Sequence, residues 1–210
     1  MRKIIYTLLC LNLYQFSANA QLILNPHYFG GFVVTTSNDT LRGTIKLPKS
    51  AAKGDFSYTD ILWKIRFVDK NGIESKFFPS QIKNFTFWLE NGKEITFVAY
   101  PNSVKAFGGL GADNKHLFLE LAINGHLKLL RGYFFTSTPN GREVNTVHYL
   151  QKGQGRLFRY RYVLFRIDMA EFLKEDTELV QKIKKRDYHP RNIGEIVNEY
   201  NTWYYSMNKK

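Results

Sequence analysis

Three Asn-Gly pairs, each placed between two apolar runs, constrain the fold of this chain more than any other feature of its sequence. They lie at residues 71–72, 91–92 and 124–125, and Asn140-Gly141 is a fourth pair in a looser context. Asn and Gly both tolerate a positive φ, so this pair between alternating apolar runs is the strongest short-range signal for a β-hairpin. The sequence therefore predicts a series of antiparallel hairpins between residue 29 and about residue 160.

The runs beside these turns alternate as half-buried strands do. In residues 63–68, Trp63, Ile65 and Phe67 share one face, and the residues between them share the other. An antiparallel sheet with one buried face explains this pattern, which leaves open whether the sheet curls or closes into a barrel. The predicted hairpins join 32–36 to 41–47, 63–68 to 73–78, 84–89 to 94–100, and 117–123 to 126–135.

The apolar period changes from strand-like to helix-like after about residue 164. Phe165, Met169 and Leu173 lie at i, i+4 and i+8 of an amphipathic helix, Asp176 is a candidate N-cap of a second helix, and Pro190 suits the first turn of a third. A helical unit this small cannot bury its stripes alone, so we expect it to pack on the strands. The predicted class is α+β, with a β-rich domain at 21–163 and a C-terminal helical unit at 164–210.

The first twenty residues have the pattern of a secretory signal peptide. Met1-Arg2-Lys3 is a short positive start, residues 4–13 are mostly apolar, and Ala18-Asn19-Ala20 offers small residues for signal peptidase. The apolar run is shorter than the about 20 residues of a membrane-spanning helix, which disfavours an anchor. Leu9 before Cys10 argues against a lipid-modified cysteine. We expect cleavage between Ala20 and Gln21, and a periplasmic, cell-surface or secreted protein without a transmembrane helix.

The mature chain has no cysteine and is strongly basic. Cys10 is the only cysteine, so neither disulfides nor thiol chemistry would be available after cleavage. The net charge of the whole chain is +12, and the excess after residue 20 is divided equally between 21–150 and 151–210. A positive surface favours encounter with polyanions such as acidic glycans or anionic lipid surfaces, although a basic surface that only keeps the protein soluble is the simpler alternative. Export makes nucleic acid an unlikely partner.

Three stretches of the chain carry a resemblance. They are residues 31–36 with 38–45, residues 79–83 with 85–87, and residues 178–183 with 193–201. In their content and order they resemble a family of uncharacterised exported proteins of Bacteroidota-type bacteria. The resemblance implies a periplasmic or secreted protein with strands before helices, and it carries no activity and no site residues.

The sequence shows no catalytic, metal-binding or cofactor-binding motif. His116, His126 and His148 fall on or beside predicted strands and could converge in space, but no H-E-x-x-H motif is present. There is no G-x-S-x-G elbow, and the glycine cluster at 108–111 lacks the Lys-Ser/Thr of a phosphate loop. Glu120 is one of several acids in or near strands, with no paired acid beside it in sequence. We therefore predict no catalytic residue, no metal ligand and no cofactor.

The segment 156–166 is the best candidate binding segment. If it is a strand, Arg159 and Arg161 point to one side, and Phe158, Tyr160 and Tyr162 to the other. An arginine row can bind phosphate or carboxylate groups bidentately, and aromatic side chains can stack on sugars or bases. Alternation favours the simpler reading of aromatics in the core and arginines in water, since a stacking platform needs both on one face. The candidate polyanion-binding residues are Arg156, Arg159, Arg161 and Arg166.

Two further expectations follow from the sequence. Asp39-Thr40-Leu41 resembles the triplet that Bacteroidota-type bacteria O-glycosylate, which makes Thr40 a candidate acceptor, although a hairpin turn explains Asn and Asp here equally well. We expect a non-catalytic binding or structural protein of the cell envelope. The alternative is an envelope hydrolase whose site is assembled from residues distant in sequence. A deep pocket that joins two acids, or a histidine and an acid, would favour the enzyme.

Overall fold

The structure, a computed structural model, describes residues 27–47, 58–101, 116–139 and 141–208. The predicted signal peptide and its cleavage site lie outside the described residues. So do most of the two long connections between predicted strands, with the glycine cluster at 108–111, and Asn140 of the fourth Asn-Gly pair.

The described strands form one antiparallel sheet. The strands are β1 (His27–Thr35), β2 (Thr40–Leu47), β3 (Ile65–Asp69), β4 (Glu74–Phe77), β5 (Ile82–Trp88), β6 (Glu94–Pro101), β7 (His116–Ile123), β8 (Leu127–Thr138) and β9 (Gly141–Lys152). Their order in the sheet is β4-β3-β2-β1-β5-β6-β7-β8-β9, so β1 and β5 are the one pair of neighbours that are not consecutive in sequence. The α+β prediction is confirmed, and the sheet is open rather than closed into a barrel.

Two of the Asn-Gly pairs form turns with the expected positive φ, whereas Asn124-Gly125 lies between β7 and β8 without a positive φ at Gly125. Gly72 has a φ of 81° between β3 and β4, and Gly92 has a φ of 76° between β5 and β6, a region that glycine adopts without strain. Asn38, in the turn between β1 and β2, also has a positive φ, of 73°. Each of these turns therefore joins two neighbouring antiparallel strands, as the hairpin signal requires.

The helices are one short α1 before β3 and a group after β9. They are α1 (Tyr58–Ile61), a 3-10 turn (Tyr162–Leu164), α2 (Phe165–Phe172), α3 (Thr177–Lys184), a second 3-10 turn (Pro190–Asn192) and α4 (Ile193–Met207). The side chain of Asp176 accepts a hydrogen bond from the Leu179 N–H at 3.1 Å and so caps α3 as predicted. Sequence analysis did not predict α1, which is a single turn.

All of these helices contribute to apolar clusters on one face of the sheet, which we call the covered face. Under α1 lies a cluster that includes Val33, Ile45, Phe67, Phe85 and Phe97, all of them buried. A second cluster joins β8 and β9 to α2, α3 and α4, and it includes Leu127, Leu129, Leu150, Met169, Ile183, Ile196 and Tyr200. The C-terminal helices thus bury their apolar stripes against the last two strands.

The long β8–β9 hairpin diverges from the rest of the sheet at Glu120. Among the described residues, β7 pairs with β8 only between the residue pair Glu120 and Arg131 and the residue pair Ile123 and Leu129. β8 and β9, in contrast, stay paired to their far ends, at Thr138 and Gly141. The N–H of Phe118 donates instead to the carbonyl of Leu62, just after α1, at 2.9 Å. The residues around α1 therefore occupy the space that opens between β7 and β8.

Candidate functional site

Aromatic and cationic side chains share the face of the sheet opposite the covered one. Cross-strand pairing sets Phe32 of β1 beside Arg42 of β2, and Tyr28 beside Lys46. Lys46 in turn pairs with Arg66 of β3. Directly paired residues project from the same face of an antiparallel sheet, with their Cβ atoms about 5 Å apart. With Trp88 of β5 these residues form what we call the aromatic–cationic face: Tyr28, Phe32, Arg42, Lys46, Arg66 and Trp88.

Two of the three aromatic side chains of this face are open to solvent, and the third, Phe32, is half-buried. Tyr28 is 51% exposed and Trp88 is 37% exposed, and the ring centroids of Phe32 and Trp88 lie 6.0 Å apart at an interplanar angle of 50°. Gly30 lies between Tyr28 and Phe32 on β1, and a Cβ there would lie 3.9 Å from Cε3 of Trp88. The indole therefore lies beside a position that carries no side chain. Its Nε1–H donates to Oε2 of Glu94 at 3.3 Å, which orients the ring.

The cations are held close to these rings. The Arg42 guanidinium lies 5.8 Å from the Phe32 centroid, and Lys46 Nζ lies 5.5 Å from that of Tyr28, both within cation–π range. Glu74 of β4 joins Lys46, at 3.1 Å, to Arg66, at 3.3 Å. The hydrogen bond between Lys46 and Glu74 raises the pKa of Lys46 and lowers that of Glu74, so both remain charged over a wide pH range.

The aromatic–cationic face carries more positive than negative charge. By strand register its cations are Arg42, Lys46, Arg66 and Lys76, and its acids are Glu74 and Glu94. From β3 to β5 the face spans three inter-strand spacings, about 14 Å. It is thus a shallow, positively charged surface with exposed rings, large enough to contact a short oligomer.

Sequence analysis missed this surface, although part of its signal was present. Tyr28, Gly30 and Phe32 alternate along β1, but the first predicted strand began at residue 32 and so excluded the first two. Trp88 joins them only because β5 pairs with β1 across fifty residues of sequence. No local sequence pattern predicts the pairing of β1 with β5.

The segment 156–166 is not a strand, so the condition under which its arginines would form a row on one side is not met. Within 156–166 the only strand-like contact is an isolated bridge between Phe158 and Leu150, and the chain then enters the 3-10 turn and α2. The cause is Asp168 in the first turn of α2. Its carboxylate accepts hydrogen bonds from the Arg161 N–H at 2.7 Å and from the Arg161 guanidinium at 2.6 and 3.1 Å, which turns the chain into the helix.

The four arginines of that segment do not form one row. Arg161 is taken up by Asp168, and hydrogen bonding from Arg161 lowers the pKa of that carboxyl to about 2. Arg156 and Arg159 are exposed, whereas Arg166 is half-buried in the first turn of α2. Their role in polyanion binding remains a prediction, and Arg161 has a structural role that its sequence context did not indicate.

A second polar group lies on the covered face, at the boundary between the two apolar clusters. Glu120 of β7, Arg131 of β8 and His148 of β9 are successive cross-strand partners. The buried Glu120 carboxylate pairs with Arg131 at 3.2 Å and accepts a hydrogen bond from the Tyr133 hydroxyl. Burial, and then the charge of Arg131, lower the pKa of His148, whose Nδ1 lies 3.4 Å from the Tyr160 hydroxyl.

This group bears on the hydrolase alternative, because it brings an acid and a histidine to one face. Arg131 stands between Glu120 and His148 in the row, and both carboxylate oxygens of Glu120 are occupied, one by Arg131 and one by Tyr133. Each oxygen could still accept a second hydrogen bond, but the ion pair with Arg131 separates the carboxylate from the imidazole of His148. The arrangement therefore neutralises a buried charge where the sheet divides, and it does not assemble an acid–base pair.

The remaining predicted positions lie apart from one another. Thr40 is exposed at the start of β2, and its glycosylation stays a prediction. His126 lies just before β8 and stacks on Tyr204, with ring centroids 3.5 Å apart. His148 lies elsewhere on the sheet, opposite Arg131. In the part of the chain that the structure describes, no group of three or more His, Cys, Asp and Glu side chains could hold a metal ion. None of the described helices is both long enough and apolar enough to cross a membrane.

Comparison of the chain with protein-family models, with curated proteins and with solved structures finds no match. A function can therefore be inferred only from the geometry of the chain itself.

Proposed function

We propose that the protein is a non-catalytic binding protein of the cell envelope, and that its aromatic–cationic face binds an acidic glycan. The observation that carries the proposal is that exposed rings and cations share one face of the sheet. Tyr28 and Trp88 present open rings, Arg42 and Lys46 lie on β2 beside Tyr28 and Phe32 of β1, and Arg66 lies on the next strand, β3. This is the arrangement that a stacking platform needs and that the segment 156–166 does not have.

Each component of the face has a part in such binding. The C–H faces of a pyranose ring are weakly positive and apolar, so they pack on the negative face of an aromatic ring. Arg42 presents a planar set of N–H donors that fits a carboxylate or a sulfate bidentately. Lys46 and Arg66 share the single carboxylate of Glu74, so their remaining donors can still bind a ligand anion. The shallow shape suits an extended polymer rather than a small enclosed molecule.

The experiment is isothermal titration calorimetry with oligogalacturonate, in which each ring carries a carboxylate, and with its methyl ester as the uncharged control. We expect binding of the acid form that weakens with added salt, because the charges are exposed to solvent. Trp88→Ala should weaken binding by about tenfold or more, since stacking on one aromatic ring contributes on the order of 1–3 kcal/mol. Arg42→Gln should weaken binding of the acid form by at least about tenfold, the value of a charge-assisted hydrogen bond.

Matched control variants lie elsewhere on the surface. Phe135→Ala removes from β8 a ring that is as exposed as that of Trp88 but belongs by strand alternation to the covered face, and Arg156→Gln removes an exposed arginine from the segment 156–166. Neither should change the affinity. Equal loss in Arg156→Gln and Arg42→Gln would show that only net charge matters and would refute the site. Binding of a single-stranded oligonucleotide in preference to the glycan would refute the ligand class.

The envelope location is part of the same proposal. It is supported by the pattern of residues 1–20 and by the resemblance to exported proteins of Bacteroidota-type bacteria. Mass spectrometry of protein recovered from the envelope or the medium should find an N-terminus at Gln21. An N-terminus at Met1 in that fraction would contradict the cleavage.

A further inference from the structure

The start of the C-terminal helical unit carries an exposed apolar tip. Val163 in the 3-10 turn is 92% exposed, Tyr162 beside it is 77% exposed, and Ile167 in α2 is 66% exposed. We call these three residues the apolar tip. Packing does not account for them, because the inward residues of the same segment, Phe165 and Met169, are the ones in the core.

Two unpaired cations lie close to this tip in sequence. Arg159 precedes it by three residues and Arg166 lies within it in sequence, and neither pairs with an acid among the described residues. Arg166 and Ile167 also border a groove of about 570 Å³ that leads between α2 and α3 to Lys174 and Lys184.

The nearby acids are already paired with cations of their own. Asp168 is bound to Arg161, Glu171 pairs with Lys174 at 3.0 Å, and Glu178 lies 3.3 Å from Lys182. These three acids therefore do not offset the charge of Arg159 and Arg166.

From this juxtaposition we propose that the apolar tip and its arginines dock the protein on an anionic lipid surface. Exposed apolar side chains with unpaired arginines beside them match a bilayer interface, where side chains enter the boundary of the acyl region and cations meet the headgroups. The tyrosine suits this depth, since its ring is apolar and its hydroxyl can stay hydrated. A protein partner would instead need a larger apolar area than three side chains supply.

This docking is independent of the proposed glycan site. The tip follows β9, and β9 lies four inter-strand spacings from β5, about 19 Å across the sheet. A protein that bound both could hold an acidic glycan close to the membrane. The two proposals can nevertheless fail separately, because Trp88→Ala should leave lipid binding unchanged.

The test is co-sedimentation of the protein with phosphatidylcholine vesicles that contain or lack phosphatidylglycerol. We expect binding to the anionic vesicles only. Arg159→Gln combined with Arg166→Gln should reduce it on the order of 30-fold, since each basic residue near an anionic surface contributes about 1 kcal/mol. Val163→Ser should reduce binding by about tenfold, the value of burying one such side chain.

Two controls keep the result specific to the tip. Ile73→Ser removes a side chain that is 61% exposed in the β3–β4 turn, and Lys70→Gln removes a cation beside it. Both should bind like the unmodified protein. Equal binding to neutral vesicles, no binding to anionic vesicles, or an equal loss in Ile73→Ser and Val163→Ser would each overturn the proposal. Circular dichroism of each variant distinguishes lost binding from lost folding.

Discussion

The attachment of the last helix to the sheet should depend on one buried amide. Asn201 of α4 receives a hydrogen bond from the N–H of Leu127 at 2.8 Å and donates one to the carbonyl of the same residue at 2.9 Å. The side chain thus pairs with the first residue of β8 as a neighbouring strand would. Asn201→Ala removes both bonds and leaves buried backbone groups without partners.

The magnitude follows from those two bonds. Each contributes about 1 kcal/mol, and an unsatisfied buried N–H adds a penalty of about 1–3 kcal/mol, so Asn201→Ala should lower the free energy of unfolding by about 3 kcal/mol. With an m-value near 2 kcal/mol per molar urea, the midpoint of urea unfolding should fall by about 1.5 M. The assay is urea denaturation followed by tryptophan fluorescence and by circular dichroism.

A matched variant and a double-mutant cycle make the test specific. Asn198→Ala changes an exposed asparagine on the same helix, so it measures the gain in helix propensity alone. Gly125→Ala would place a Cβ 2.5 Å from Nδ2 of Asn201, so its cost should shrink by about 1 kcal/mol or more when Asn201 is already alanine. If Asn201→Ala costs no more than Asn198→Ala, or if Gly125→Ala costs the same in both backgrounds, the reasoning is refuted.

Three further predictions concern the strands and the start of α2. Gly31→Ala should lower the free energy of unfolding by about 2–3 kcal/mol in urea, because its Cβ would lie 2.2 Å from the Thr86 carbonyl oxygen, whereas the same change at Gly30, with its nearest atom at 3.9 Å, should cost almost nothing. The pKa of Asp168 is about 2 in the folded protein and near 3.8 in the unfolded chain, so the stability that this carboxylate adds is present above about pH 4 and is lost as the pH falls towards 2. In the Arg161→Gln variant, an NMR titration of Asp168 should give a pKa closer to 3.8. If Thr40 is glycosylated, the intact mass of the exported protein should exceed that of the mature chain by whole hexose units, and Thr40→Val should abolish the excess.

Much of the fold could be predicted because its signals are local. The turns at Asn71-Gly72 and Asn91-Gly92 need only a positive φ between two strands, and the cap at Asp176 needs only a short side chain before a helix. The pairing of β1 with β5 could not be predicted in the same way. It joins residues about fifty positions apart, and nothing near either strand encodes its partner.

The segment 156–166 shows why alternation of arginine and aromatic residues does not by itself predict a strand. A strand also needs a neighbouring strand with which it forms backbone hydrogen bonds, and alternation does not specify one. Phe158 makes its single bridge to Leu150 and packs on Phe172, so its side chain is inward, as alternation requires. Asp168, seven residues beyond Arg161, accepts hydrogen bonds from that arginine and lies in the first turn of α2. The signal in the sequence for this contact is an acid in the first turn of a predicted helix.

The candidate sites depend on register, which is why composition and motifs missed them. Glu120 and His148 are unremarkable in sequence and meet only through Arg131 of the strand between them. In the same way, Phe32 and Arg42 face one another only because a four-residue turn sets the register of β1 and β2. A shift of one residue would send each side chain to the opposite face.

Folding alone does not account for the aromatic–cationic face. The face opposite the covered one is itself buried where β7, β8 and β9 meet, by a third apolar cluster of Leu117, Leu119, Leu130, Val147 and Tyr149. On β1, β2 and β3 no such cluster covers it among the described residues, so polar side chains such as Thr44 would serve there. Tyr28 and Trp88 instead expose large rings to water, while the rings that stabilise the sheet, such as those of Phe85 and Phe97, stack 5.1 Å apart on the covered face. Exposed rings of this kind add little to stability and increase the risk of association between molecules. Packing of the sheet therefore does not require these rings beside a row of cations, whereas the proposed ligand would contact both.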